Sequence, residues 1–185
     1  VVVQNRMDLA ERRLVEKNLQ DVSLAGTFPP HDFGRQMETA ARFIAGGSAV
    51  PVIKCALGGF DTHAGQMGRH RRLLTQLAEG LSSFARAMKG VGMWDDVLVM
   101  TYAEFGRRPR ENASSGTDHG TAAPQLILGG RVRGGFYGEQ PPLDRLEGQN
   151  LVYRLDFRAI YATVARRWWG LDGKFLGPRT LPLIT

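Results

Sequence analysis

Hydrophobic residues recur at helical spacing in four segments of the chain. Two of these patterns are clear: Asp32–Ala45 ends at a pair of glycines, and Met67–Lys89 has apolar residues three and four positions apart. Weaker patterns cover Arg6–Gln20 and the segment from Asp156, which is a favoured N-cap residue type, to about Trp169. The residues of the Met67–Lys89 helix that we expect to be most buried are Leu77, Leu81 and Phe84.

Three short runs of β-branched and aliphatic residues lie between these helices. The runs are Val50–Ala56, Val97–Tyr102 and Gln125–Leu128, and each predicts a strand. The first is expected to be buried, and the composition of Val97–Tyr102 is typical of a strand buried on both faces. Strands and helices that alternate in this way form parallel sheets covered by helices. The sequence therefore predicts an α/β fold, a three-layer sandwich with a mostly parallel sheet. A polar loop is expected over Ala103–Pro124.

Length and composition indicate a globular protein. The chain has 185 residues, of which 43% are hydrophobic, so we expect one domain or a large piece of one. No apolar run approaches the roughly 20 residues of a membrane-spanning helix, so no membrane span is predicted. Cys55 is the only cysteine and stands in an apolar run, which predicts a small buried side chain. Because the chain starts at Val1, we expect its natural N terminus to lie upstream.

The positive charge comes mainly from arginine. Against 18 acidic residues the chain has 20 Arg and 4 Lys, a net charge of +6. Guanidinium groups match phosphate, sulfate and carboxylate, so the composition favours anionic partners, of which a small anionic substrate is one kind. Nucleic-acid binding is disfavoured, because the arginines are not interleaved with the aromatic residues of a stacking surface. The arginines considered for that alternative are Arg69, Arg71, Arg72, Arg107, Arg108 and Arg110.

Polar residues able to bind a metal ion follow the predicted strands. In extended chain, the side chains of Asp61 and His63 point to the same side and can share one divalent ion. The alternative is an Asp that caps a turn beside an exposed His. Glu104 follows the second strand, where a carboxylate needs a metal, a proton or a cation such as Arg107 or Arg108.

The loop before the third strand adds two further candidates. Asp118 and His119 are flanked by Gly116 and Gly120, which allow close approach of the backbone to a ligand. Since sites in parallel sheets form at the carboxyl ends of strands, we expect Asp61, His63, Glu104 and His119 to form a shared metal site. Arg107 is the candidate for binding an anionic substrate group through paired hydrogen bonds.

The order and spacing of these motifs resemble a known family. The motifs are Gly59-Phe60-Asp61-Thr62-His63, Glu104-Phe105-Gly106-Arg107 with Pro109 and Asn112, Gly116-x-Asp118-His119-Gly120, Gly129-Gly130, Gly134-Gly135 with Tyr137-Gly138, and Asp156-Phe157-Arg158. They resemble the domain-of-unknown-function 1501 family of bacterial exported proteins, which typically carry twin-arginine signals. The family belongs to the alkaline phosphatase and sulfatase superfamily. The resemblance therefore implies an alkaline phosphatase-like fold and a periplasmic or secreted location.

The resemblance also implies roles for single residues. Asp61 and His63 resemble the Asp and His that hold one superfamily metal, and His119 resembles the late His that completes that site. Glu104 resembles the acidic ligand of a second metal, although the superfamily usually places His directly after it, where this chain has Phe105. In an alternative register, Asp118 and His119 form the acid–His pair. Zinc suits these ligands best, and manganese or calcium also suits a carboxylate-rich site.

By this resemblance we expect a metal-dependent hydrolase of phosphate or sulfate esters, with Arg107 as a catalytic residue. The superfamily nucleophile lies near an early strand, and no such strand precedes Arg6, so the chain is interpreted as the C-terminal part of one domain. The alternative is a non-catalytic exported binding protein that retains the fold. Phe105 favours that alternative, because it replaces a usual metal ligand.

Overall fold

The structure is a computed structural model that describes residues 22–185. This part of the chain forms two compact units, one made of residues 22–60 and Arg71–Trp94 and the other of Asp61–His70 and Asp95–Thr185. The helix predicted over Arg6–Gln20 lies outside the described residues. Within residues 22–185, no helix has the length and apolar character needed to cross a membrane.

The first unit is built on two helices. Helix α1 spans Asp32–Ala45, as predicted, and begins where the His31 side chain accepts a hydrogen bond from the Gly34 amide at 2.9 Å. Helix α2 spans Gln66–Gly90, close to the predicted bounds, and its start belongs to the second unit. A Cβ at Gly80 would lie 2.6 Å from the Phe33 ring, so glycine allows α1 and α2 to pack closely.

The hydrophobic core of this unit comes from both helices. Of the three α2 residues expected to be most buried, Leu81 and Phe84 are buried, whereas Leu77 is only half-buried. The buried hydrophobic residues of α1 and α2 are Phe33, Met37, Ala40, Ala41, Leu81, Phe84, Ala87 and Met88.

The strand predicted over Val50–Ala56 does not form. The segment has no regular secondary structure, and its side chains are largely exposed, with Val52 61% exposed. A buried strand needs neighbouring strands on both edges, and among the described residues none lies beside this segment. Instead, the Gln36 side-chain nitrogen donates to Ala56 O at 2.9 Å, and the Ala56 amide donates to the Gln36 side-chain oxygen at 2.7 Å. Cys55 is half-buried rather than buried, and its partial burial raises the pKa of the thiol.

The second unit contains short antiparallel strands. They are β1 Leu98–Met100, β2 Gly106–Glu111, β3 Thr117–Gly120, β4 Ile127–Gly129, β5 Leu146–Glu147 and β6 Asn150–Leu151. Strand β1 pairs with β4, β2 with β3, and β5 with β6, all antiparallel. The strands predicted over Val97–Tyr102 and Gln125–Leu128 are therefore neighbours, but their pairing is antiparallel and the prediction of parallel pairing was wrong. In residues 22–185, no three-layer sandwich with a parallel sheet is seen.

The segment predicted to be a polar loop, Ala103–Pro124, contains the β2–β3 hairpin. Arg107 lies opposite His119 in the hairpin, and the register shifts between Arg107 and Glu111. Pro109 lies within this irregular part of β2, where the missing amide hydrogen of proline does not break a regular ladder. The hydrophobic pattern did not predict this hairpin, because β2 is almost entirely polar.

The last helical segment packs on the β1–β4 pair. Helix α3 spans Phe157–Thr163 and continues as a π-helix over Val164–Trp168, so the predicted helix and its Asp156 N-cap are confirmed. The core of this unit joins the helical segment to the C-terminal residues, and partly buried side chains of β1 and β4 pack against it. Its buried members are Ala159, Val164, Leu181, Leu183 and Ile184.

The N-cap of α3 predicts an acid-dependent loss of stability. The Asp156 side chain accepts hydrogen bonds from the main chain and guanidinium of Arg158, which lower the pKa of Asp156 to about 2. Because this pKa lies below the unfolded value of about 3.9, the stabilisation is present above pH 4 and is lost as the pH falls toward 2. Thermal unfolding of Asp156→Asn should therefore depend less on pH between 4 and 2 than wild type does. Identical profiles would contradict this role.

Candidate metal centre

Three predicted ligands converge at one place in the second unit. Asp61 and His63 lie on the segment before α2, which has no regular secondary structure, and His119 lies on β3. The Asp61 Oδ1 atom is 2.8 Å from His119 Nε2 and 3.0 Å from His63 Nε2. The two Nε2 atoms are 3.2 Å apart. The convergence predicted for these three side chains is therefore seen, and one ligand atom from each lies within 4.8 Å of the others.

The β2–β3 hairpin produces this convergence by packing against the segment that carries Asp61 and His63. The Gly65 amide donates to Ser114 O at 2.9 Å, and the Gln66 amide donates to Ser115 O at 2.8 Å. The Thr117 hydroxyl donates to the Gln66 side chain at 3.0 Å. The hairpin loop is thus fixed to the start of α2, and β3 brings His119 to Asp61.

The cluster is open to solvent, and its neighbours favour the charged form of the Asp61 carboxylate. The side chains of Asp61, His63 and His119 are 63%, 50% and 45% exposed. The hydrogen bond from His119 is the largest influence that lowers the pKa of Asp61, and the charges of His119, His63 and Arg107 lower it further. Asp61 is therefore ionised over the neutral range and offers a carboxylate oxygen to a cation.

Phe105 and Arg107 border the cluster. The Phe105 ring stacks on the His119 imidazole, with centroids 3.7 Å apart and planes inclined by 9°. The Arg107 guanidinium carbon lies 5.0 Å from the centre of the same phenyl ring. Phe105 and Arg107 therefore cover one side of the cluster. The stacking of Phe105 also restricts the orientation of the His119 ring.

The Arg107 guanidinium points toward the cluster. Its Nη1 atom donates to Thr117 O, and its Nη2 atom lies 3.5 Å from Thr62 Oγ1 and 3.9 Å from Asp61 Oδ1. Its side chain is only 19% exposed. Arg107 was predicted to belong to the site, and it lies beside the cluster. One end of its guanidinium group donates to the main chain at Thr117, and the other end faces Asp61.

The two remaining candidate ligands lie outside the group of three. Asp118 is not one of the three residues whose ligand atoms lie close together, but its Oδ1 atom is 3.6 Å from Nδ1 of His63. Glu104 is exposed and is not part of the cluster. The shared edge predicted for Glu104 depended on a parallel sheet, and β1 pairs antiparallel instead.

Asn112 has a structural role at this site that sequence reasoning did not assign. Its side-chain oxygen accepts hydrogen bonds from the amides of Ser114 and Gly116, at 2.9 and 3.1 Å, and its side-chain nitrogen donates to His63 O at 3.0 Å. The signal available in the sequence was Asn-Ala-Ser-Ser-Gly, in which an Asn precedes small residues and a glycine, as is typical of a side-chain-capped turn.

A protein-family model matches residues 4–174, which include all of the cluster and its neighbours. The chain belongs to the DUF1501 family. This family is described as a protein of unknown function, so membership agrees with the resemblance seen in the motifs and leaves the activity to be argued from the site. No curated protein and no solved structure matches the chain.

Proposed function

We propose that Asp61, His63 and His119 bind a divalent metal ion, with zinc as the first candidate, and that the protein hydrolyses phosphate or sulfate esters at this site. The observation that carries the proposal is the convergence of one carboxylate oxygen and two imidazole nitrogens to separations of 2.8 to 3.2 Å. Three groups that each carry a lone pair stay this close only when a proton or a cation lies between them.

The donor set fits zinc. Zinc binds His nitrogen at about 2.0–2.1 Å and carboxylate oxygen at about 2.0–2.2 Å, so neighbouring ligand atoms around a tetrahedral ion are separated by roughly 3.3–3.5 Å. The observed separations require only a small outward movement of side chains that are about half exposed. Three protein ligands and an open side are typical of catalytic rather than structural zinc sites. Manganese and calcium prefer a larger share of oxygen ligands than this cluster offers.

The neighbouring residues support an anionic ester as substrate. When bound, a divalent ion supplies Lewis acid chemistry that polarises an ester oxygen and stabilises a leaving group. The guanidinium of Arg107 lies on the Asp61 side of the cluster, where it can donate to the non-bridging oxygens of a phosphate or sulfate. Phe105 packs against His119 and limits the directions from which water and substrate reach that ligand.

One observation favours a second candidate function, a binding protein without catalysis. Phe105 stacks on His119 and offers no ligand atom, and Glu104 lies outside the cluster, so the described residues group one set of ligands rather than two. A single exposed cation site also suits capture of an anion without turnover. An exported location, which the family resemblance implies, suits both candidate functions and stays a prediction.

Turnover by the full chain separates the two functions. The protein is stripped with a chelator, reloaded with zinc, manganese or calcium, and assayed on an aryl phosphate and an aryl sulfate. The hydrolase predicts metal-restored turnover that is lost in Asp61→Asn and kept in Asp144→Asn, which removes an exposed acid outside the cluster. Metal binding without turnover of either ester favours the binding protein. Failure to bind any of the three metals contradicts the metal site and the hydrolase, and it favours the binding protein, which does not require a metal.

A further inference from the structure

His63 has two ring nitrogens that meet two different carboxylates. Its Nε2 atom faces Asp61 Oδ1 at 3.0 Å and His119 Nε2 at 3.2 Å. Its Nδ1 atom lies 3.6 Å from Asp118 Oδ1. A neutral imidazole carries one proton, so an Nε2 atom that binds a metal leaves the proton on Nδ1, on the side of Asp118.

Asp118 is itself contacted by one hydrogen-bond donor and by one guanidinium group. The Asn112 side-chain nitrogen donates to Asp118 Oδ1 at 3.3 Å, and Arg108 Nη1 lies 3.5 Å from Asp118 Oδ2. The carboxylate therefore has a fixed place beside Nδ1 of His63. Asp118 and His119 are neighbours on β3, and both face the His63 ring. Asp118 lies beside its Nδ1 atom, and His119 lies beside its Nε2 atom.

The main chain of His63 is fixed by the same turn. Asn112 donates to His63 O at 3.0 Å while its side-chain oxygen accepts from the amides of Ser114 and Gly116. A Cβ at Gly116 would lie 2.3 Å from the His63 carbonyl group, so only glycine lets the turn lie this close. One turn thus controls both the backbone position of His63 and, through Asp118, the direction of its ring.

We propose that Asn112 and Asp118 are positioning residues, which hold His63 with Nε2 in the cluster and Nδ1–H directed at Asp118. The role rests on the proposed metal site and replaces the direct ligation that the sequence predicted for Asp118. Metal-binding His residues commonly donate their second ring N–H to a carboxylate, which orients the ring and raises its basicity. Removing such a partner typically weakens metal binding by about 10- to 100-fold while leaving the ligands in place.

Zinc affinity and a proton signal test this role on the full chain. In zinc competition, Asp118→Asn and Asn112→Ala should bind about 10- to 100-fold more weakly than wild type with unchanged stoichiometry. Nitrogen-15 NMR of the zinc-bound protein should show a His63 Nδ1 proton that exchanges slowly in wild type and faster in Asp118→Asn. Glu111→Gln removes an exposed charge from the same hairpin and should match wild type in both measurements.

Each other outcome overturns a defined statement. If wild type binds zinc and Asp118→Asn binds equally well with an unchanged Nδ1 proton, the positioning role is wrong and the metal site stands. If Asp118→Asn abolishes binding as His63→Ala does, Asp118 is a ligand and the positioning role is also wrong. If wild type binds no zinc, the metal site fails and the positioning role fails with it. Thermal unfolding of each metal-free variant distinguishes a lost fold from a lost contact.

Discussion

A chain with both His63→Ala and His119→Ala should bind zinc more than about 100-fold more weakly than wild type. The reason is that a single exposed carboxylate, Asp61, then remains of the three convergent ligands. Loss of a residue that only orients a ligand costs about 10- to 100-fold, so loss of two ligands costs more. Competition with a chromophoric chelator measures the affinity, and elemental analysis of the full chain measures the stoichiometry.

His70→Ala is the matched control for this prediction. It removes an imidazole from α2, outside the cluster, and should leave zinc affinity and stoichiometry unchanged. The doubly substituted chain should keep its thermal unfolding in the absence of metal, since both side chains are about half exposed. Equal zinc stoichiometry in wild type and in the doubly substituted chain would contradict the shared site.

The three side chains that converge could be predicted from sequence, but the scaffold that groups them could not. Asp61 and His63 form an Asp-x-His pair after one predicted strand, and His119 stands in a glycine-flanked loop before another. All three residues also match motifs of the family. Their grouping was derived from parallel strands that share one edge. The structure groups them through a polar hairpin that packs against the segment before α2, so the predicted convergence is seen but its structural cause is different.

Elements with strong local signals were predicted accurately. Helix α1 has the predicted bounds because its helical apolar pattern and the two glycines that follow it agree. The β2–β3 hairpin has none of these signals, since Gly-Arg-Arg-Pro-Arg-Glu shows no apolar alternation and hydrogen bonds to the Asn112 side chain stabilise its loop. Val50–Ala56 shows the reverse error, because an apolar run becomes a strand only when neighbours provide hydrogen bonds.

Glu104 was assigned to the cluster by the same reasoning. The assignment required the end of the Val97–Tyr102 strand to lie beside Asp61 at the carboxyl edge of a parallel sheet. Strand β1 ends at Met100 and pairs antiparallel with β4, and the chain then turns into β2 with Glu104 exposed. Arg107, three residues later, lies opposite His119 in the hairpin and therefore stays at the cluster.

Arg107 has contacts that suit two different roles, and these predict different results on substitution. As a support, it would act through the bonds from Nη1 to Thr117 O and from Nη2 to Thr62 Oγ1. As a substrate contact, it would act through the edge that faces Asp61. A support affects folding and zinc binding first, whereas a substrate contact affects turnover of anionic esters first.

We expect Arg107→Lys to lower kcat/KM for an aryl phosphate or sulfate by at least about 10-fold in the zinc-loaded full chain, because a single ammonium group cannot reproduce a two-pronged contact with an anion. Zinc affinity should change by less than about twofold, since none of the three ligand side chains is altered. Arg110→Lys, an exposed position of the same strand, should leave kcat/KM unchanged. Unchanged kcat/KM in Arg107→Lys would exclude the substrate contact. If zinc affinity and thermal stability fall together with kcat/KM, Arg107 instead supports the segments that carry Thr62 and Thr117.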